Sequence, residues 1–398
     1  MRSFESELAA LEQVSLRRSL SVFQPLGSSS LTSPLGTPLL NFASNDYLGF
    51  ASSPELRDFL LEAVGSHGAG SGASRLVCGT SQPHADLEIA LADFKLSEAA
   101  LAFSSGYATA VGTLTAIASR DDILILDKLC HASLIDGARL SGATLRIFPH
   151  NDTARLESLL LWARRSANPN ARIVVVTESI FSMDGDAAPL AEIIRLKDEH
   201  GALLLLDEAH GFGIFGPGGR GLAHALGLAH RVDLHMGTLS KAAGLHGGFV
   251  CGPRAFADLL VNRARSFIYS TAPPPAIATA AAKVITCLLP GPLGESARAR
   301  LHENLSLFSS LSSLPLPASP IVPIILGPES AALDAATALR SAGILAPAIR
   351  FPTVAKGKAR LRLTFTASHS PDDIHHLVTS LRHLQTQPSP PADDASNP

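Results

Sequence analysis

The chain has 398 residues, 46% of them hydrophobic and 17% charged, with a formal net charge of -3. That length predicts roughly two to three domains around an ample core, and the absence of any long basic run argues against a nucleic-acid partner. No apolar run approaches the ~18 residues of a membrane span, and Met1–Glu5 carries no apolar signal core, so a cytoplasmic protein with no membrane partner is expected. Four cysteines (Cys78, Cys130, Cys251, Cys287) lack C-x-x-C spacing and read as free, mostly buried thiols of a reducing compartment. No metal site is expected.

Residues 5–18 read as an amphipathic helix with Leu8, Leu11 and Leu16 on its apolar side and Arg17-Arg18 near its end. Residues 24–38, rich in Gly, Ser, Pro and Thr, read as a loop or turn-rich hairpin. A short strand, Leu39–Phe42, precedes Ala43-Ser44-Asn45-Asp46-Tyr47-Leu48-Gly49. From about 85 to 270, apolar runs at Ala99–Phe103, Ile123–Leu126, Ile173–Val176 and Leu203–Leu206 alternate with longer helical patterns. This is the pattern of βαβ units around a buried, mostly parallel sheet. Polar residues cluster past the ends of these runs, where open α/β sheets bind ligands. Arg263 and Arg265 read as a solvated helix face.

After about 285 the pattern changes. Arg360–Thr366 alternates strictly and predicts a half-buried antiparallel strand, with Leu361, Leu363 and Phe365 toward the core and Arg360, Arg362 and Thr364 on the other face. Ser370-Pro371-Asp372-Asp373 starts a helix, with a capping serine, a first-turn proline and acids against the dipole. Residues 385–398 read as a disordered tail. The expected organisation is an N-terminal helix and small-domain segment (1–50), a large α/β domain (51–284), a C-terminal α+β domain (285–384) and the tail.

The chemistry concentrates between Asp207 and Lys241. Asp207-Glu208-Ala209-His210 ends a leucine run, and Thr238-Leu239-Ser240-Lys241 follows a second short apolar stretch and leads into Gly244, Gly247 and Gly248. An acid and a lysine at neighbouring strand ends could hold the ring nitrogen and the aldehyde of pyridoxal phosphate. Each also has a plainer reading: Asp207 as a strand-end cap and Lys241 as a surface charge. D-E-A-H also occurs in helicase-type ATPases, but the required G-x-x-x-x-G-K-[ST] phosphate loop is absent from the chain. His131 is either structural or a planar cover for a cofactor. Gly106 and Tyr107 open a helix whose free amides suit a phosphate. Arg362 is either an edge charge or a bidentate carboxylate clamp.

Taken together, N-F-A-S-N-D-Y-L-G (41–49), G-S-G-A-S-R-L-V-C-G-T (70–80), D-K-L-C-H-A-S-L-I-D-G (127–137), T-E-S-I-F-S-M-D-G-D-A-A-P-L (177–190), D-E-A-H-G-F-G (207–213), T-L-S-K (238–241) and R-L-R-L-T-F-T-A-S-H (360–369) resemble the α-oxoamine synthases over about residues 5–384. The resemblance implies a fold-type I pyridoxal phosphate transferase: a mostly parallel central sheet with helices on both faces, plus a smaller α+β domain from the two chain ends. It implies an acyltransferase that joins an amino acid to an acyl thioester with loss of CO2. Within the family the first expectation is L-alanine and a pimeloyl thioester, on coenzyme A or acyl carrier protein. The alternatives are sister reactions of glycine or serine, or a non-catalytic scaffold. The implied cofactor residues are Lys241, Asp207, His131, His210, Ser182, Gly106, Tyr107 and Thr238, with Thr271 reaching the phosphate from a second subunit of a homodimer. Lys241, Asp207, His131 and His210 would be catalytic. Asn45, Arg362 and His131 would bind the amino acid, and Arg17 and Thr353 the acyl substrate. One departure is Ala242-Ala243, where many relatives carry a glycine after the lysine.

Overall fold

The apolar runs assemble into a seven-stranded sheet in the computed structural model, which describes residues 3–386. Its strands are β1 (Ala99–Phe103), β2 (Ile123–Asp127), β3 (Thr144–Phe148), β4 (Ile173–Glu178), β5 (Leu203–Asp207), β6 (Leu234–Thr238) and β7 (Gly248–Gly252). Their spatial order is β1-β7-β6-β5-β4-β2-β3. Neighbours from β6 to β3 pair in parallel, while β7 runs antiparallel to both β6 and β1. Leu124, Leu126, Val174, Val176 and Leu205 pack on one face with helices Gly106–Ile117 and Ala132–Ser141. Ile123, Ile125, Val175, Leu204 and Leu206 pack on the other with Thr153–Ser166 and Leu190–Glu199. Covering both faces is why these strands read as unbroken apolar runs.

The two chain ends build a smaller unit together. Strands Gln24–Pro25, Ser30–Thr32 and Pro38–Asn41 form an antiparallel meander, so the turn-rich segment is a hairpin. Ile344–Leu345 adds to it in parallel. A second sheet joins Ile321–Gly327, Ala359–Thr364 and Ala348–Ile349, all antiparallel. The 359–364 strand continues against the N-terminal segment: the Thr364 amide donates to the Phe42 carbonyl (2.9 Å) and the Ala367 amide to that of Tyr47 (2.8 Å). Phe42, Phe308, Leu361, Leu363 and Phe365 fill this core.

Four expectations change. The first helix spans only Phe4–Gln13 and buries none of its residues, so Leu16, Arg17 and Arg18 lie beyond it. The 359–364 strand is buried on both faces, because Arg360 and Arg362 cover the 182–184 loop instead of facing water. Only Cys130 and Cys251 are buried; Cys78 and Cys287 are exposed, and all four are free. The final helix, Pro371–Thr386, takes up Gln385 and Thr386, and the rest of the expected tail lies outside the described residues. Its start is as read: Ser370 accepts from the Asp373 amide and donates its own amide to the Asp373 carboxylate.

No single helix among the described residues is long and apolar enough to cross a membrane. Pro275–Leu288 and Pro292–Ser312 pass that test only jointly, across a 75° bend.

Behind β5, the Glu208 carboxylate is fully buried with the Lys95 ammonium, and it also accepts from the Ala223 amide. Lys95→Met strips that carboxylate of its buried ammonium, leaving only the Ala223 amide and the nearby His235 ring, and breaking a buried pair costs about 3–5 kcal/mol. Urea denaturation should show a loss of that size; a loss under 1 kcal/mol would mean the pair is not structural.

Candidate active site

The carboxyl ends of β2, β4, β5 and β6 place Asp127, Glu178, Asp207 and Thr238 along one edge of the sheet. Asp207 is buried, and its Oδ1 accepts the Ala209 amide at 2.8 Å. Burial raises its pKa above the usual carboxylate range, against the pull of Lys241. Glu178, also buried, is pushed well above its range by burial and by Asp207. Its carboxylate accepts the His131 amide. Burial brings Lys241 down to about 8, against the opposing charges of Asp207 and Glu178. Lys241 is therefore an amine that is partly neutral near physiological pH.

A chain of polar contacts runs from this lysine into the small unit. Lys241 Nζ lies 2.8 Å from His210 Nε2, and His210 Nδ1 lies 2.5 Å from the Tyr47 hydroxyl. That hydroxyl donates to Asn45 Oδ1 (3.3 Å), which also accepts from Arg362 Nη1 (3.1 Å). Burial holds His210 well below the ordinary histidine range, so the ring is neutral. A proton on Nδ1 makes every contact consistent: Lys241 donates to Nε2, Nδ1 donates to Tyr47, and Tyr47 donates to Asn45. Burial pushes the Tyr47 hydroxyl up to about 12, so it stays protonated. Arg362 is further held by the Ser182 carbonyl (2.6 Å) and Thr364 Oγ1 (2.8 Å). Arg360 points to Asp184 instead, 2.6 Å away.

At the other side of the lysine, helix Gly106–Ile117 starts against β6. Ser105 caps it by accepting the Ala108 amide, and the Gly106 and Tyr107 amides remain outside the intrahelical ladder. A Cβ on Gly106 would meet Thr238 Oγ1 at 3.4 Å, so the helix start and this hydroxyl are adjacent. Thr238 Oγ1 donates to the Gly247 carbonyl and lies 2.8 Å from Ser240 Oγ. His131 stands at the rim as the N-cap of Ala132–Ser141, where both Asp207 and Lys241 act on it electrostatically. The donor set fits pyridoxal phosphate: helix amides and hydroxyls for the phosphate, a buried acid for the ring nitrogen, an amine for the aldehyde and an imidazole for a ring face.

The structure thus brings together Lys241, His210, Asn45 and Arg362 by hydrogen bonds, with Asp207, His131, Ser182, Gly106 and Thr238 around them. The Tyr107 hydroxyl donates to Asp136, and its ring is half exposed. Thr271 is exposed and bridges Ser74, apart from the Lys241 cluster of its own chain. Arg17 pairs with the exposed Glu12, while Arg18 donates to Thr353 and Arg350 to the Ser15 and Arg17 carbonyls, so the 15–18 segment lies on the 350–353 turn. Sequence reading passed over Tyr47 and Glu178 as site residues. Both lie inside motifs already singled out, but a tyrosine and a strand-end glutamate carry no signal of their own. A separate cavity of about 490 Å³ is lined by Lys95, His224, Asp233 and His235 and includes none of the Lys241 cluster. One group able to hold a metal ion among the described residues, Glu157, Glu199 and His200, also shares no residue with it.

This fold and site define a fold-type I pyridoxal phosphate enzyme. Residues 37–381 match the aminotransferase class I and II family. The 8-amino-7-oxononanoate synthase of Citrifermentans bemidjiense is 43% identical over 94% of this chain and 96% of its own length. Serine palmitoyltransferase from S. paucimobilis, solved with a PLP–myriocin adduct, superposes with a TM-score of 0.88 at 28% identity, covering 96% of each chain. The structure of 8-amino-7-oxononanoate synthase from Francisella tularensis gives 0.72 at 27% identity, covering 87% of this chain and 96% of that one. The chain belongs to the aminotransferase class I and II family and, within it, to the 8-amino-7-oxononanoate synthases.

The lysine's environment has a direct test. Reductive labelling of the cofactor-free protein with a small aldehyde should modify Lys241 with a pH midpoint near 8. A midpoint near 10 would show that the amine is solvated like a surface lysine.

Proposed function

We propose that the enzyme condenses L-alanine with a pimeloyl thioester, releasing CO2 and the thiol carrier and giving 8-amino-7-oxononanoate, a step of biotin biosynthesis. The observation that carries this reading is the polar chain from Lys241 to Arg362, which links a guanidinium to the reactive amine through His210, Tyr47 and Asn45. An amino acid needs that pair: a cation for its carboxylate and an amine to move its α-proton. The serine palmitoyltransferase likeness is higher in TM-score than the synthase likeness, but family members share the fold, and 43% sequence identity to a synthase bears more closely on substrate than backbone shape does.

Bound pyridoxal phosphate supplies an electron sink for the carbanion formed at the amino acid's Cα. Asp207 would keep a proton on the ring nitrogen. Lys241, an amine near neutrality, would hold the aldehyde and move the α-proton of the bound amino acid. His131 would cover a ring face. His210, neutral and fixed by Tyr47, orients the lysine and, with Ser182, would hold the ring's phenolic oxygen. The amides of Gly106 and Tyr107 and the Thr238 hydroxyl would hold the phosphate. Asn45 and Arg362 hold the substrate carboxylate, and Arg17 and Thr353 line the approach of the acyl donor. Its carrier is coenzyme A or acyl carrier protein; both are anionic, and Arg17, Arg18 and Arg350 cluster at that approach.

The working form in this reading is a cytoplasmic homodimer in which Thr271 completes the phosphate site of a second copy. In support, Thr271 is exposed beside a bridge to Ser74, and the nearby Leu76 and Val77 are 53% and 78% exposed, an apolar surface suited to an interface. The division into a small-domain segment to residue 50, a large domain to 284 and a C-terminal domain to 384 belongs to the same proposal.

The test is a product assay that offers alanine, glycine and serine, each against pimeloyl, acetyl, succinyl and palmitoyl thioesters. Alanine with pimeloyl thioester should dominate; preference for another pair would overturn the substrate assignment. Arg362→Ala should weaken alanine binding roughly ten- to a hundred-fold, the cost of one charged hydrogen-bonded clamp, and affect the acyl donor less. Arg360→Ala, which breaks the contact with Asp184, is the comparison. A larger alanine effect from Arg360→Ala would place the carboxylate elsewhere.

A further inference from the structure

His150 follows β3 and is absent from the site described above, yet it sits between the two loops that carry parts of it. Its Nδ1 lies 3.0 Å from Asp127 Oδ1, and its Nε2 lies 2.8 Å from Asp186 Oδ2. A carboxylate oxygen only accepts, so both ring nitrogens donate to their acids and the ring is an imidazolium; the Asn151 Nδ2, 3.3 Å from Nε2, donates to Asp186 instead. Burial works against that charge, but the two carboxylates outweigh it and hold the group at about 10. Asn151 doubles the link: its amide donates to Asp127 Oδ2 (2.8 Å) and its Nδ2 to Asp186 Oδ2 (3.1 Å). The ring of Phe181 packs edge-on against the imidazole at 4.3 Å.

Each acid anchors a different loop. Asp127 is fully buried at the end of β2, where its Oδ1 accepts the Leu129 amide and its carbonyl the Cys130 amide. The next residue is His131. Asp186 closes the 181–186 turn, in which Phe181 donates to the Asp186 carbonyl and Gly185 to the Phe181 carbonyl. That turn contains Ser182, whose carbonyl holds Arg362, and Asp184, which holds Arg360. Within this contact set the imidazolium is the one cation between the two carboxylates. A neutral residue in its place leaves two like charges facing across the junction, with only an amide between them.

We propose that His150 is a positioning residue for the condensation: as an imidazolium it clamps the His131 turn to the Ser182 loop and so fixes His131 relative to Arg362. The roles given to His131 and Arg362 rest on the function proposed above. The clamp itself rests on the distances around His150.

The test compares His150→Gln, His150→Gln/Asp186→Asn and wild type. In cofactor-free protein, hydrogen exchange of the 180–187 segment should quicken roughly ten-fold in His150→Gln, the scale of one lost charge-assisted hydrogen bond at a part-exposed site, while β5 stays protected. In loaded enzyme the apparent KM for alanine should rise by a similar factor, with less change for the acyl donor. Removing the second acid in the double variant should recover most of both effects, because the repulsion goes with it. Unchanged exchange and unchanged KM in His150→Gln would overturn the proposal. So would a loss of protection spread evenly over the molecule with no recovery in the double variant, since that is the signature of a structural residue alone. Failure of the wild-type enzyme to use alanine would instead sink the proposed function, and the exchange comparison would still decide the clamp.

Discussion

The burial of Asp207 beside Lys241 at the end of β5 is the constraint to which the rest of the structure answers. A carboxylate out of water is held ionised only by compensating charge or hydrogen bonds. Asp207 has one backbone amide and the field of a lysine that is itself driven toward neutrality. Glu178, buried next to it, adds a second acid to the same pocket. Such a group is incompletely balanced by these protein atoms, and in the proposed reading a cationic ring nitrogen would complete it. The sheet makes the burial possible, because four leucines lead to Asp207 and strands pair on both sides of it. The Lys95–Glu208 pair behind it neutralises the adjacent residue separately.

Catalysis in this reading needs two halves of the chain to meet. The sheet supplies Lys241, Asp207, His131 and the helix start at Gly106. The chain-end unit supplies Asn45, Tyr47 and Arg362. The hydrogen-bond chain from Lys241 through His210 and Tyr47 to Asn45 and Arg362 crosses that junction. The backbone pairing of 364–367 with 42–47 holds its far end in place. Asn45 and Arg362, 317 residues apart in sequence, are thereby 3.1 Å apart in space.

Much of this was legible in the sequence for definite physical reasons. Strands buried on both faces appear as unbroken apolar runs, so Ala99–Phe103, Ile123–Leu126, Ile173–Val176 and Leu203–Leu206 were each read within two residues of their observed ends. Strand β7 was not, because Gly248–Gly252 begins and ends in glycine and pairs antiparallel inside an otherwise parallel sheet. The first helix ends at Gln13 and buries none of its residues, so its leucine spacing overstated its length. Alternation over Arg360–Thr366 gave the antiparallel strand, which ends two residues earlier, at Ala359–Thr364, but not its burial, since a buried arginine and a solvated one look alike until their partners are known. The same blindness to partners hid Tyr47, Glu178 and His150. Their significance lies in contacts with residues far away in sequence.

In the proposed function, everything depends on Asp207 keeping the cofactor's ring nitrogen protonated. The 15N chemical shift of ring-labelled pyridoxal phosphate, measured in the loaded wild-type enzyme and in Asp207→Asn, reads that proton directly. The structure predicts a pyridinium nitrogen in wild type near neutral pH and an unprotonated nitrogen in the variant. An unprotonated nitrogen in wild type, or the same protonated signal in both proteins, would contradict it.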